Sequence, residues 1–252
     1  MASVELLRTV ALFSQLREED LERLRVIMHP QTYPKNRVIL SAHRPCDTFF
    51  VLIEGQVKVM LVAEDGREVI LSLIRTGDFF GERSLLDEEP HAASVIAMEE
   101  SRMLVLHRDD FRRCISEIPG VAVGLLRALL GRLREADHRI GGLILLDAPG
   151  RVARLLLQLA DLGDGETIAN PLTQQVLAQM VGTTRETVSR TMKALADQGV
   201  LTSDRDRITI QDRRALEVAA GQLLRTVSSG VFRRPRRNEL PPPTDLRASS
   251  SP

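Results

Sequence analysis

The sequence predicts an α+β fold: an N-terminal β roll of jelly-roll type, then one long dimerisation helix, then a C-terminal winged helix-turn-helix. Three observations lead there. Short β-rich runs bounded by turn residues fill the stretch from about residue 31 to residue 108. A strict heptad of apolar residues follows Pro119. Two capped helical patterns separated by a glycine, and then two short strands, occupy residues 172–210.

The first segment, Val4 to Met28, is helical in pattern, with Leu6, Leu7, Val10, Leu12 and Phe13, then Leu21, Leu24 and Ile27; Pro30 ends it. The β-rich runs are Val38–Leu40, Thr48–Ile53, Val57–Val62, Glu68–Ile74, Ala93–Met98 and Met103–Leu106. Many short strands at this spacing indicate a sandwich or barrel rather than a βαβ unit. The two runs around Glu64-Asp65-Gly66 form a hairpin pattern. In the long helix, Ala122, Leu126, Leu129, Leu133, Ala136, Ile140 and Leu143 repeat at alternating spacings of four and three. A period of 3.5 calls for a partner helix, most simply that of a second copy. Leu125 and Leu130 lie off this row and are expected to pack on the β domain. Asp147-Ala148-Pro149-Gly150 breaks the helix, a further apolar helix runs from Arg151 to Leu162, and Gly163 to Asn170 is a loop. The domain boundaries that follow are 1–118 for the roll, 119–146 for the dimerisation helix and 147–227 for the winged unit. Residues 228–252, with Arg233-Arg234-Pro235-Arg236-Arg237 and Pro241-Pro242-Pro243, form a tail expected to be disordered.

Composition narrows the function. The chain's 43% hydrophobic and 27% charged residues are ordinary for a globular protein. No stretch reaches the roughly 18 apolar residues of a spanning helix. The N-terminus lacks the pattern of a secretory signal, so a cytoplasmic chain with no membrane partner is expected. Net charge is zero, yet residues 1–150 hold 19 Lys+Arg against 23 Asp+Glu, and residues 151–252 hold 15 against 11. A basic second half suits a nucleic-acid partner. The two cysteines, Cys46 and Cys114, show no metal-binding spacing and are expected to be free thiols. No Walker loop, GxSxG or HExxH is present, so no enzymatic activity and no metal are expected.

The informative stretch is Leu172 to Ile210. Thr173 can cap a short helix, Gln174 to Val181, with an apolar face of Val176, Leu177 and Met180. Gly182 supplies a tight turn. Thr184 then caps a second helix, Arg185 to Gln198, whose Val188, Met192 and Leu195 face inward. Val200-Leu201-Thr202 and Ile208-Thr209-Ile210 make a two-stranded wing. Arg185, Glu186, Ser189 and Arg190 fall on the opposite side from Val188 and Met192. Arginine's fork matches the N7 and O6 acceptors of guanine in the major groove, and glutamate accepts from the amine of cytosine. Base contacts come from the first turns of such a helix. Thr173, Thr184, Gln175 and Lys193 are placed to hold phosphates and fix register. The partner is therefore double-stranded DNA.

Thr184-Arg185-Glu186-Thr187-Val188-Ser189-Arg190 resembles the recognition helix of the CRP/FNR family, especially its cyclic AMP receptor branch. The resemblance runs from about residue 5 to residue 220. It implies a homodimer through the 119–146 helix, a cyclic-nucleotide-binding-like roll, TGTGA-like half-sites and RNA polymerase as a further partner. It also implies that Arg185 and Arg190 contact guanines and that Glu186 contacts the opposite strand.

The same resemblance points to a nucleotide cassette that begins Phe-Gly-Glu and ends near Arg-Ser-Ala. Here it reads Phe80-Gly81-Glu82-Arg83-Ser84 and ends Pro90-His91-Ala92-Ala93. His91 stands in place of the phosphate-binding arginine, and neutral imidazole is neither a permanent cation nor a fork. Ala136-Asp137 stands where the branch has an adenine-contacting Thr-Ser pair. Cyclic AMP is accordingly not expected as the effector. Arg83 and Arg132 are the cations left near the cassette, and cyclic di-GMP remains an alternative ligand beside the absence of any. No four-cysteine cluster is present, and His29, His43, His91, His107 and His138 show no haem-ligand pairing. A module that binds a cyclic nucleotide or a protein without DNA is the rival class, and it would not need Arg185, Glu186 and Arg190. The Arg233–Arg237 run is expected to add sequence-independent phosphate contacts. Deleting residues 228–252 should therefore flatten the salt dependence of DNA binding, and an unchanged slope would make the tail inert.

Overall fold

A computed structural model describes residues 3–87, 89–169, 172–204 and 206–221. In chain order its elements are α1 (Val4–Thr9), α2 (Glu18–Ile27), β1 (His29–Tyr33), β2 (Val38–Leu40), β3 (Thr48–Glu54), β4 (Gln56–Val62) and β5 (Glu68–Arg75). They continue with β6 (Phe79–Phe80), α3 (Glu82–Leu86), β7 (Ser94–Ala97), β8 (Ser101–His107), α4 (Arg108–Glu117) and α5 (Pro119–Leu145). The C-terminal unit holds α6 (Ala148–Ala160), β9 (Thr167–Ala169), α7 (Gln174–Val181), α8 (Arg185–Asp197), β10 (Leu201–Ser203), β11 (Arg207–Ile210) and α9 (Arg213–Ala219).

The roll is two antiparallel four-stranded sheets, ordered β1-β8-β3-β6 and β2-β7-β4-β5. Strand β3 explains the layering. Successive side chains of a strand point to opposite faces, yet Phe49 through Ile53 are all buried. Phe50 and Leu52 enter the core between the sheets with Val57, Ile74, Val95 and Met103. Phe49, Val51 and Ile53 face outward into a second core made by α1, α2, α4 and the start of α5. A strand covered on both faces is a continuous apolar run, as Phe-Phe-Val-Leu-Ile is. Strand β8 divides in the same way, with Met103 and Val105 inward and Leu104 and Leu106 outward.

Several expectations change. The first helical segment is two helices, because residues 10–15 form turns. Pro30 does not end a helix; it lies in β1, at the sheet's edge, opposite Leu104, where a missing N–H is tolerated. Helix α4 was not foreseen, although Phe111, Cys114 and Ile118 give it a buried stripe at helical spacing. Helix α6 begins at Ala148, with Asp147 as cap accepting from Gly150 N–H at 2.8 Å, so Pro149 lies inside the first turn. It ends at Ala160, leaving Leu162 exposed. Residues 167–169 are not loop: β9 pairs with β11, and the wing sheet has three strands, β10-β11-β9.

Helix α5 is 27 residues long. Leu125 is buried in the helical core as expected, but Leu130 is 53% exposed. Four positions of the heptad row are open, with Leu126, Leu133, Ile140 and Leu143 all more than half exposed, while Leu129 packs against the helical core. The helix meets the N-terminal segment at Gly124, where a Cβ would lie 2.5 Å from the Leu12 carbonyl oxygen; Gly131 has nothing within 4 Å. Glycine to alanine in a helix interior ordinarily gains up to about 1 kcal/mol. Gly131→Ala should show that gain in denaturant unfolding. Gly124→Ala should instead lose about 1–2 kcal/mol, because backbone must move to admit the methyl group.

Candidate nucleic-acid interface and effector cleft

The helix-turn-helix is built by caps and one left-handed residue. Thr173 Oγ1 accepts from Val176 N–H at 3.3 Å and starts α7. Gly182 ends it at φ 66°, ψ 51°, a conformation that suits glycine. Thr184 Oγ1 accepts from Thr187 N–H at 3.2 Å and starts α8. The inward face of α8 is Val188, Met192 and Leu195 as expected, together with Thr191, which bonds back to the Thr187 carbonyl at 2.9 Å. The inward face of α7 differs: Leu177, Ala178 and Val181 are buried, whereas Val176 and Met180 are only half-buried.

Arg185, Glu186, Ser189, Arg190 and Lys193 are all exposed on α8. Its own backbone N–H and the Thr184 hydroxyl hold the Glu186 carboxyl below the usual range, so it is an acceptor at neutral pH. Arg190 Nη2 lies 3.4 Å from Thr187 Oγ1, and Arg185 makes no ion pair among the described residues. Two guanidinium groups and one carboxylate thus project together from the exposed side of α8, with side-chain partners among the described residues only in Thr184 and Thr187 of the same helix and its cap. Thr173 and Gln175 are exposed at the start of α7, beside the same face. The charge surplus, by contrast, is not in this unit. Residues 151–221 hold nine Lys+Arg and nine Asp+Glu, so the excess lies after residue 221, with six against two.

Two side chains that sequence reasoning missed fix this unit to the rest, and a third ties α5 to the roll. Arg151 donates to the carbonyls of Leu146 at 3.1 Å, Val181 at 2.9 Å and Gly182 at 3.4 Å, joining the end of α5 to the turn of the helix-turn-helix. Gln179 donates to Glu68 Oε2 at 2.6 Å, and α7 packs along β5. Arg139 of α5 donates to the Leu71 carbonyl of β5 and pairs with Glu135. Only the hydrophobic positions of these helices carried a sequence signal; the arginines act on backbone oxygens, which no spacing reveals.

The cassette lies where β6 meets α3. Gly81 has φ 91°, and a Cβ there would stand 2.5 Å from the Thr48 carbonyl oxygen. Glu82 is buried. Its Oε1 accepts from Arg132 Nη1 at 2.8 Å, while Oε2 has no partner among the described residues. Burial pushes the Glu82 carboxyl up, against the pull of Arg132. Arg132 also donates to the Phe79 carbonyl and stacks 4.3 Å over the Phe79 ring. Ser84 Oγ and His91 Nε2 are likewise buried without a partner among the described residues. Burial, then the Arg83 guanidinium, push the His91 imidazole below its ordinary value, so it is neutral at pH 7. Arg83 itself points to solvent. Ala136 and Asp137 are exposed on α5, away from this chain's core.

A capped helix-turn-helix with a wing, hung by one long helix from a β roll with a cluster of buried polar side chains, defines a DNA-binding protein with a sensor-type domain. Residues 30–117 match the model of the cyclic nucleotide-binding domain and residues 150–219 that of the Crp-like helix-turn-helix domain. The chain is 32% identical over 217 residues to a CRP-like cAMP-activated global transcriptional regulator of Mycobacterium tuberculosis, spanning 84% of this chain and 97% of that one. It is 34% identical over 209 residues to the cyclic AMP receptor protein of Thermus thermophilus, covering 83% and 96%. The structure of FixK2 from Bradyrhizobium japonicum superposes with a TM-score of 0.69 at 25% identity, covering 77% of this chain and 97% of that one. The chain belongs to the CRP/FNR family of DNA-binding transcription regulators. Among the described residues no single helix is long and apolar enough to cross a membrane.

Arg132→Ala should lower stability by about 1–3 kcal/mol in denaturant unfolding, since it strands the buried Glu82 carboxylate. The figure is kept below that of a fully buried pair because the arginine side chain is 37% exposed. Adding Glu82→Gln to that variant should recover most of the loss, because a neutral amide needs no cation.

Proposed function

We propose that the chain regulates transcription as a homodimer on a palindromic TGTGA-like site, without control by cyclic AMP. The observation that carries this is the exposed Arg185, Glu186 and Arg190 set on a helix whose large apolar residues, Val188, Met192 and Leu195, are turned inward. Two bidentate arginines and an ionised glutamate in the first two turns suit G·C pairs in a major groove. The dimer contact is assigned to α5, whose open row of Leu126, Leu133, Ile140 and Leu143 leaves too much apolar surface for a lone helix. RNA polymerase is the further partner expected of such a regulator.

The effector reading rests on chemistry at the cassette. A cyclic phosphodiester needs a permanent cation, and His91 is neutral where one is required. Arg132, the nearest buried-side cation, is already spent on Glu82 and Phe79. The Mycobacterium tuberculosis relative is cAMP-activated, so on this reading the chain has kept the DNA-reading half of such a function and lost the switch. A second reading has its own support: among the described residues Glu82 Oε2 and Ser84 Oγ lie buried without partners, as they would if a ligand such as cyclic di-GMP, or another hydroxyl-bearing molecule, completed the site.

Titration onto a fluorescent TGTGA-N6-TCACA duplex at fixed salt tests both. Specific binding without nucleotide, unchanged by cyclic AMP, is expected. Binding that appears only with cyclic AMP would overturn the effector reading, and a response to cyclic di-GMP would favour the second. Arg185→Ala should cost about 1–3 kcal/mol on this duplex and little on a scrambled one. Equal loss on both would make the arginine a phosphate contact.

A further inference from the structure

Helix α5 carries a second exposed row beside its heptad. Val123, Leu130 and Ile144 are 45%, 53% and 75% exposed, and they recur at multiples of seven residues with the exposed Asp137 in the one gap. With Leu126, Leu133 and Ile140 at the a positions of the heptad, this row is e, while Arg132 and Arg139 fall at g. Rows a and e adjoin, so a helix laid along the heptad covers the edge of both. From Val123 to Ile144, Asp137 is the single charged residue at an a or e position. A carboxylate enclosed by such a contact is costly unless a cation meets it.

We propose, on the homodimer reading above, that each cassette is completed by the other copy. Arg132 bridges Glu82 of its own roll and Asp137 of the partner subunit. A twofold pair that brings both DNA-reading units to one end has its α5 helices parallel, and in a parallel pair the e residues of one helix meet the g residues of the other, one turn and a half earlier in sequence. Arg132 meets the partner's Asp137 in that register, and Arg139 meets the partner's Ile144, so the first is the oppositely charged pair. Arg132 has the donors to spare. Its guanidinium carries five N–H groups; among the described residues one on Nη1 goes to Glu82 and one on Nη2 to the Phe79 carbonyl, and the side chain stays 37% exposed. Arg134, one turn before Asp137 in the same helix, is the rival cation. It sits at b, on the solvent side of the row, cation before anion, which is the weaker order on a helix, and the two make no ion pair among the described residues.

The consequence is a cassette whose remaining cation is answered by the protein itself. A carboxylate held on the partner's helix acts at a high effective concentration, and a nucleotide phosphate would have to displace it. Dimer contact and cassette also become one network, because Arg132 stacks on Phe79 and holds the buried Glu82 while it faces the seam. The dimer itself then fixes α5 against the roll, with no effector.

A double-mutant cycle read by sedimentation equilibrium of the full chain tests this. The wild-type chain should dimerise, and Asp137→Asn should raise its dissociation constant about tenfold, the two symmetric pairs acting together. In the Arg132→Ala, Glu82→Gln background, which removes both charges of the cassette, the same Asp137→Asn change should alter the constant less than about twofold. Asp137→Arg alone, which sets cation against cation, should weaken the dimer about a hundredfold. Asp137 is exposed in the single chain, so its variants should fold. Equal weakening in both backgrounds, a tighter dimer with Asp137→Asn, or a dimer that tolerates Asp137→Arg would each overturn the proposal and leave the homodimer standing. A wild-type chain that stays monomeric would overturn both.

Discussion

The placement of helix α5 against the roll is the constraint on which the rest of this molecule depends. Two arginines, one heptad apart on that helix, set it. Arg132 reaches into the cassette and takes both the Glu82 carboxylate and the Phe79 carbonyl. Arg139 takes the Leu71 carbonyl of the neighbouring hairpin. The first turns of the helix are clamped separately, by Val121 and Leu125 in the helical core and by the close passage of Gly124 over Leu12. A rod held at three points along one side has a defined direction. Its open apolar row must then face away from the roll, and the hinge at Asp147 must emerge at a fixed place.

The DNA-reading unit inherits that placement through few contacts. Its own core is separate, built from α6, α7, α8, the wing and α9. What joins it to the rest is the three-carbonyl grip of Arg151, the single bond from Gln179 to Glu68, and packing of α7 on β5. Strand β5 is touched by α5 on one side and by α7 on another. Strand β5 is thus a second link between α5 and the C-terminal unit, besides the hinge. An exposed amide-to-carboxylate bond contributes little net stability, so the two units are registered to one another without being welded.

Much of this was legible in the sequence because apolar periodicity and capping chemistry act locally. The β hairpin around Asp65-Gly66, the heptad row of α5, and the caps Thr173, Gly182 and Thr184 all lie where the residues place them. The exposed face of α8 follows from the same periodicity. What stayed hidden is of two kinds. Strands β1 and β6 are short and carry His-Pro-Gln-Thr-Tyr and Phe-Phe, with no alternation to find; they exist because β8 and β3 offer them partners. Helix α4 is polar on average, and its two buried residues, with Ile118 just past its end, are meaningful only once the outer face of β3 is known to be apolar. The cassette was legible as a pattern, His91 for arginine included. That Arg132 would occupy its glutamate depends on bringing residues fifty positions apart together, which no local rule supplies.

Helix α8 keeps two sets of residues strictly apart. Val188, Thr191, Met192 and Leu195 hold it in place, while Arg185, Glu186, Ser189 and Arg190 stand clear of every neighbouring element. Mutations at Ser189 and Arg190 leave the folding free energy nearly untouched, since exposed positions away from caps and packing tolerate exchange, and at Arg185 and Glu186 the cost is limited to the first turn of the helix. If the proposed base contacts hold, selection can revise which operators this regulator addresses one side chain at a time, with no compensating change elsewhere. Its lineage is free to rewire its regulon while the protein that does the addressing stays the same.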